Sequence, residues 1–292
     1  VTDGDDELRD GARARWPGFD WARADVRVGA FHTVIIPPTG PVLRVTTGNH
    51  FAIRARREAR TLDAMARVAL SVPIPHVLAG PVDDVDRSAT MITRVPGQQT
   101  CDVTTAGPDR IRSYAALLTA LHTSAPSPMP ELPAPRTWCG GDEWPALVRH
   151  ELAPLLNPAA GRSAEERTAQ LLELDDACPA VICHGDFGPH NILWHEDRPA
   201  GLIDLDHACI GDPAIDLAPL IGFHGLEAIR PMADPDTLRR AMIHRATLSL
   251  QVAAAAQLAG SFALRDHALT NFADRHARGT LFDPTGMTPA DL

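Results

Sequence analysis

Residues 180–220, AVICHGDFGPHNILWHEDRPAGLIDLDHACIGDPAIDLAPL, restrict the possible folds more than any other stretch of the chain. Acids, histidines and glycines are packed there between short apolar runs. Ala180 to Cys183 reads as a buried strand, and His184 to His190, with two glycines and a proline, reads as a loop. Ile192 to Trp194 and Leu202 to Leu205 read as two more strands. Asp197, Pro199 and Gly201 between them have the chemistry of a hairpin connection. A hairpin folded about Arg198 sets Asn191 across from Leu205, which makes Asn191 and Asp204 neighbours. Asp186 stands five positions before Asn191, on the loop that enters the same hairpin.

A carboxylate, an amide oxygen and a second carboxylate therefore converge from three backbone segments. Oxygen ligands of this kind suit Mg2+, which keeps several waters and binds through one or two protein groups plus substrate phosphates. The spacing D-x-x-x-x-N followed by a later Asp is also that of the protein-kinase catalytic loop and its metal-binding Asp, although this loop opens H-G-D and not H-R-D. A different class of enzyme can be built from the same atoms. His184, Asp186, His190 and Asp204 could ligate a metal that activates water in a hydrolase.

The chain contains 27 basic side chains apart from histidine, and every one is Arg. Without Lys there is no P-loop and no Schiff-base chemistry. No G-x-G-x-x-G, H-E-x-x-H or G-x-S-x-G occurs either. Five cysteines without a C-x-x-C pair fit a reduced, cytoplasmic protein better than a disulfide scaffold. The acidic start VTDGDDELRD lacks the pattern of a signal peptide, and no stretch is long and apolar enough to cross a membrane. A net charge of −10 argues against a nucleic-acid binder. The charge is unevenly placed: residues 1–96 balance at +1, and residues 97–292 at −11. An acidic second half concentrates cationic ligands near its surface. Nothing in the sequence bears on self-association.

HGDFGPHN, LIDLD and GDPAIDLA, in this order, resemble the signature of aminoglycoside phosphotransferases and their relatives, including macrolide, choline and viomycin or capreomycin kinases. GAFHTVII, over residues 29–36, is most similar to the viomycin-type members. The resemblance implies an α+β, two-lobed protein-kinase-like fold, with an antiparallel-sheet N-lobe and a mainly helical C-lobe. Pro96 and Gly97 mark the boundary, giving a nucleotide-binding lobe over 1–96 and a catalytic and substrate-binding lobe over 97–292. Carried onto this sequence, the family pattern makes Asp186 the catalytic residue, and Asn191 and Asp204 the Mg2+ ligands. Arg44, where the family usually has a Lys, takes the nucleotide phosphates with Glu58 as its partner. The segment Ile92 to Arg94 holds adenine through its backbone, and Asp216 braces the catalytic loop.

The reaction so implied is Mg2+-dependent transfer of the γ-phosphoryl group of ATP or GTP to a hydroxyl of a small cationic substrate. An aminoglycoside or a viomycin-like peptide antibiotic fits the acidic C-lobe, with Asp142, Glu143 and Glu151 as candidate contacts. A small amine such as choline fits the same charge argument, and a kinase-like module without turnover is a further alternative.

Overall fold

The computed structural model describes residues 3–99, 106–124, 131–174 and 180–292. It opens with helix α1 (Asp3–Arg15), which packs its Ala12 against Trp21 and the back of a sheet. The β-branched runs that follow pair as strands β1 (Asp25–Val28), β2 (His32–Ile36) and β3 (Val42–Thr47). Helix α2 (Phe51–Met65) comes next, then β4 (Val77–Asp83) and β5 (Arg87–Ile92). The five strands form an antiparallel sheet in the order β1-β2-β3-β5-β4. Alternation places Ile35, Leu43, Val45 and Met91 on the face toward Trp21, and Arg44 and Thr46 on the opposite face toward α2. Helix α2 buries Ala55, Glu58, Ala59, Leu62 and Met65. It ends before Ala66 and Ala69, which an uninterrupted helical pattern through Leu70 would place inside and which are exposed.

Gly97, at φ 101°, turns the chain from the sheet into β6 (Gln98–Gln99). Helix α3 (Pro108–Thr123) buries Ile111, Tyr114, Leu117, Leu118 and Leu121. The proline-rich stretch 126–135 lies partly outside the described residues. Residues 142–156 are expected to form one helix, but they form a succession of 3-10 and π turns around the short helix α4 (Trp144–Leu147). The prolines at 145 and 154 interrupt the regular ladder. Helix α5 (Pro158–Leu172) starts under an Asn157 cap.

Strand β7 (Val181–Cys183) pairs antiparallel with β10 (Cys209–Gly211). Between them, β8 (Ile192–His195) and β9 (Arg198–Leu202) form the hairpin, with β6 on the other side of β8. His195 pairs with Arg198, so the turn is Glu196–Asp197 and not Arg198. Asn191 consequently lies against Ile203, whose amide donates to the Asn191 carbonyl at 2.9 Å, and not against Leu205. Asp204 follows immediately, so the expected proximity survives a register change of two residues.

Helices α6 (Ala214–His224), α7 (Leu226–Ile229), α8 (Pro235–Ala259) and α9 (Phe262–Ala277) complete the helical half. Its core joins α3, α6 and the hairpin to Leu62 and Met65 of α2 and Ile92 of the sheet. A second cluster lies between α4, α5, α8 and α9. The prolines near the C-terminus suggest a frayed tail, yet residues 280–292 are docked. Buried Asp283 accepts from the Leu226 and Thr285 amides at 2.6 and 2.7 Å, and Leu281 is buried. Among the described residues, no helix is long and apolar enough to cross a membrane.

Candidate active site

The loop after β7 is held from below by Asp216, in the first turn of α6. Its carboxylate accepts from the backbone amides of His184 at 3.0 Å and Gly185 at 2.8 Å, and His122 of α3 contacts it at 3.0 Å. Asp216 is fully buried, and these contacts meet the requirement that a buried carboxylate be satisfied. Asp212 caps the same helix through the Ala214 amide and pairs with Arg240 at 2.8 Å. Gly185 has φ 84°, and a β-carbon there would lie 2.0 Å from the His207 carbonyl oxygen. Only glycine lets the loop run so close to the segment after Asp206.

Asp186 follows, with its side chain 34% exposed and its Oδ2 3.1 Å from the Asn191 amide nitrogen and 3.6 Å from His190 Nε2. Burial works against its charge. The His190 contact and the fields of His207, His190 and His184 outweigh burial and hold the carboxyl down at about 2. His190 is correspondingly raised: its own burial opposes the charge, and Asp186 overcomes it. An ionised Asp186 is a strong acceptor for a hydroxyl and a weak Brønsted base, so its contribution to chemistry is mainly orientation.

Asn191 donates through Nδ2 to both the Asp186 carbonyl and carboxylate, which leaves Oδ1 as the acceptor end of the side chain. Asp204 takes the left-handed conformation, φ 63°, and its side chain is 49% exposed. A non-glycine residue in this region costs about 1 kcal/mol, a strain that clusters at functional sites. These oxygens are the hard donors Mg2+ prefers, so the donor set fits the ion.

Arg44 departs from its expected place. Its guanidinium crosses the cleft to the C-lobe, donating to Asp206 Oδ1 at 3.1 Å, to Asp206 Oδ2 by a second, shorter contact, and to Asp204 Oδ1 at 3.2 Å. Burial opposes the charge, but Asp206, Asp204 and Glu58 raise the guanidinium above its ordinary value. Its ion pairs are with Asp206 and Asp204, and the expected pair with Glu58 is not formed directly. Glu58 has His32 Nε2 at 2.8 Å from its Oε1, and His32 Nδ1 lies 3.0 Å from Arg44. Arginine is longer than lysine and forked, so its head passes Glu58 and reaches the carboxylates beyond. From the sequence alone neither Asp206 nor His32 takes a role at this site. The period-2 alternation of β2 and β3 puts His32 on the Arg44 face and is a signal for that residue, whereas Asp206 lies beyond β9 and has none.

The segment expected to hold adenine is only partly available. Ile92 pairs in register with Val42 and Val77 and is buried in the core, and the Thr93 amide donates to the His76 carbonyl at 2.9 Å. The Arg94 guanidinium holds the Pro37 and Pro38 carbonyls.

A cavity of about 350 Å3 opens between α2, the β1–β2 turn and the helical half. Its acidic lining is Glu58 and Asp206, with Phe31 and Trp138 as aromatic walls. Asp142, Glu143 and Glu151 do not line it. All three are exposed, and Glu151 accepts from Gln257 at 2.7 Å.

Residues 39–260 match the model of a phosphotransferase enzyme family. A viomycin phosphotransferase from Streptomyces vinaceus is 32% identical over 265 residues, spanning 84% of this chain and 90% of that protein. The chain belongs to this phosphotransferase family. Solved structures agree on the fold of the phosphotransferase. One is the GDP and kanamycin complex of APH(2")-IIia, with a TM-score of 0.74 at 16% identity over 94% of this chain and 99% of that one. Another is macrolide 2'-phosphotransferase MphH from Brachybacterium faecium, with a TM-score of 0.59 at 21% identity over 93% and 98%. The protein is thus a kinase-like α+β enzyme.

The hydrolase alternative fails on His184. Its Nδ1 accepts from the Asp186 amide at 3.3 Å, so Nε2 carries the proton and donates to the Ile203 carbonyl at 3.1 Å. A fully buried imidazole with both nitrogens engaged in the phosphotransferase has no lone pair left for a metal.

Proposed function

We propose that this phosphotransferase moves the γ-phosphoryl group of ATP or GTP to a hydroxyl of a cationic antibiotic, a viomycin- or capreomycin-like peptide or an aminoglycoside, and so confers resistance. The observation that carries the reading is the hydrogen-bonded pair Asp186 and Asn191 on a loop braced by Asp216, with Asp204 next to Ile203, whose amide binds the Asn191 carbonyl. Family membership and the viomycin phosphotransferase relative support the reaction class and the substrate class. Residues 1–96 serve as the nucleotide lobe and 97–292 as the catalytic lobe.

In this reading Asp186 accepts a hydrogen bond from the substrate hydroxyl and aligns its oxygen for in-line attack. The hydroxyl proton passes to the Asp186 carboxylate as the new O–P bond forms and the bond to the departing nucleoside diphosphate breaks. Such transition states are loose, so positioning and charge stabilisation carry most of the catalysis. Asn191 and Asp204 are the residues that would hold Mg2+, which would supply positive charge against the phosphates. Arg44 supplies guanidinium contacts to the nucleotide phosphates, and Asp216 keeps the His184–Asp186 backbone in place. The net charge of −11 over residues 97–292 attracts a polycationic substrate.

The test is mass spectrometry of viomycin, capreomycin, several aminoglycosides and choline after incubation with the protein, Mg2+ and ATP or GTP. A gain of one phosphoryl group on a peptide antibiotic or aminoglycoside is expected. Modification of choline alone would replace the antibiotic reading with a metabolic one.

A further inference from the structure

Arg44 and Glu58 are both buried and carry opposite charges, yet a third side chain stands between them. His32 begins β2 and pairs in register with Thr46 of β3, which puts it on the same sheet face as Arg44, two residues along the strand. Its Nδ1 lies 3.0 Å from Arg44 Nη2, a donor at every relevant pH, so Nδ1 is the acceptor and the ring proton sits on Nε2. Nε2 faces Glu58 Oε1 at 2.8 Å and Asp206 Oδ2 at 3.5 Å, although neither contact is aligned as a full hydrogen bond. The ring is only 12% exposed, and one ligating atom from each of His32, Glu58 and Asp206 falls within 4.8 Å of the others. Thr46 Oγ1 holds the other Glu58 oxygen at 3.4 Å.

His32 is also where the β1–β2 turn attaches to helix α2. The residue before it, Phe31, accepts at its carbonyl from Arg54 of α2 at 3.1 Å, and the Gly29 amide closes the turn on the His32 carbonyl at 2.8 Å. One imidazole therefore ties the turn, the strand that carries Arg44 and the helix that carries Glu58.

We propose that His32 is a positioning residue for the nucleotide site, joining Arg44 to Glu58 in an Arg–His–Glu relay in place of a direct cation–carboxylate pair. The inference rests on the reading that Arg44 serves nucleotide phosphates. An arginine whose head passes Glu58 needs a spacer of about one ring to remain coupled to helix α2. His32 provides the acceptor on one side and the donor on the other, and it fixes the guanidinium plane by its Nδ1 contact.

Two measurements keep this inference separate from the substrate assignment. Calorimetric binding of a non-hydrolysable ATP or GTP analogue with Mg2+ requires no antibiotic, and steady-state kinetics on the phosphorylated antibiotic divides nucleotide KM from antibiotic KM and kcat. His32→Ala is expected to weaken analogue binding by about tenfold or more, equivalent to about 1.4 kcal/mol per decade, and to leave antibiotic KM within about twofold. His32→Asn, which keeps an acceptor near Nδ1, and His32→Gln, which keeps a donor near Nε2, are each expected to recover part of the loss. Adding Arg44→Lys to His32→Ala is expected to bind the analogue more tightly than His32→Ala alone, because the shorter cation can pair with Glu58 directly. Unchanged analogue affinity in a folded His32→Ala, equal loss of nucleotide and antibiotic affinity, or no recovery in any of the three further variants would overturn the relay. Wild-type protein that binds no nucleotide overturns the proposed function and the relay with it. Wild-type protein that binds the analogue and phosphorylates nothing in the panel leaves the relay decided by the binding data alone.

Discussion

Asp186 and Arg44 show how differently two residues of one site can be read from sequence. The role of Asp186 follows from its neighbours in the chain, because a loop opening H-G-D with an Asn five residues on has few uses. Arg44 takes its meaning from residues 160 and 162 positions away, and no local pattern announces Asp204 and Asp206 as its partners. Replacing the Asp186 carboxylate by an amide keeps the shape and removes the charged acceptor. Asp186→Asn should lower kcat by roughly 10²- to 10⁴-fold, the usual weight of a positioned acid–base group. Nucleotide affinity measured by calorimetry should hardly change, since Asp186 faces the hydroxyl in the proposed mechanism. Retention of most of the activity would move the role of hydroxyl acceptor to another carboxylate.

The elements that carry the site are a strand–loop–hairpin and the helix beneath it. Asp216 can brace the loop only because α6 starts in the right place, and that start depends on Asp212. Burial raises the Asp212 carboxyl, but His244, Arg240 and the Ala214 amide outweigh it and leave it well below the ordinary carboxylate range. A depressed carboxyl stabilises the fold above its unfolded value near 3.9, and the contribution disappears as pH falls through the folded value. The gap in melting temperature between wild type and Asp212→Asn should therefore be widest near neutral pH and shrink as the buffer is taken below about pH 4. A gap that stays constant down to pH 2 would show that the Asp212 charge contributes nothing. Gly185→Ala tests the loop itself. With φ at 84° and a carbonyl 2.0 Å from the added carbon, the loop must shift. The expected result is a large loss of kcat with a melting temperature lowered by only a few degrees, as a change confined to one loop costs about 1–3 kcal/mol. The strand at Val181–Cys183 and the existence of the hairpin are legible from periodicity and turn chemistry, but the strand expected over Leu202–Leu205 instead spans Arg198–Leu202, and β10 carries no signal of its own. The hairpin register is not legible, because Asp197, Pro199 and Gly201 are compatible with more than one turn position, and the side-chain ladder decides between them. The broken helical stretch after Trp144 was misread for a similar reason: its apolar spacing suits a helix, and the prolines determine where the ladder fails.

At the scale of the whole molecule, the order of the motifs implied two lobes, and the structure adds how they are joined. The core runs without interruption from Leu62 and Met65 through Ile92 to α3 and the hairpin, so the N-lobe is packed onto the helical half and not merely linked to it. The C-terminal segment is part of the same body. Arg245 and Arg275 both hold the Leu281 carbonyl at 2.6 Å, and Asp283 joins the tail to the start of α7. Proline content suggested a loose end here, because composition does not reveal one buried acceptor serving two amides. Asp283→Ala should cost about 1–3 kcal/mol in urea unfolding by stranding the Leu226 and Thr285 amides. A cost near zero would mean that water replaces the carboxylate. The arginine-only composition has a practical side as well. Reagents that profile nucleotide-binding enzymes by acylating an active-site amine require a side chain that can lose its proton, and guanidinium does not. With Arg44 in the strand and no lysine in the chain, labelling surveys of that kind would pass over this protein even in an extract where it is abundant.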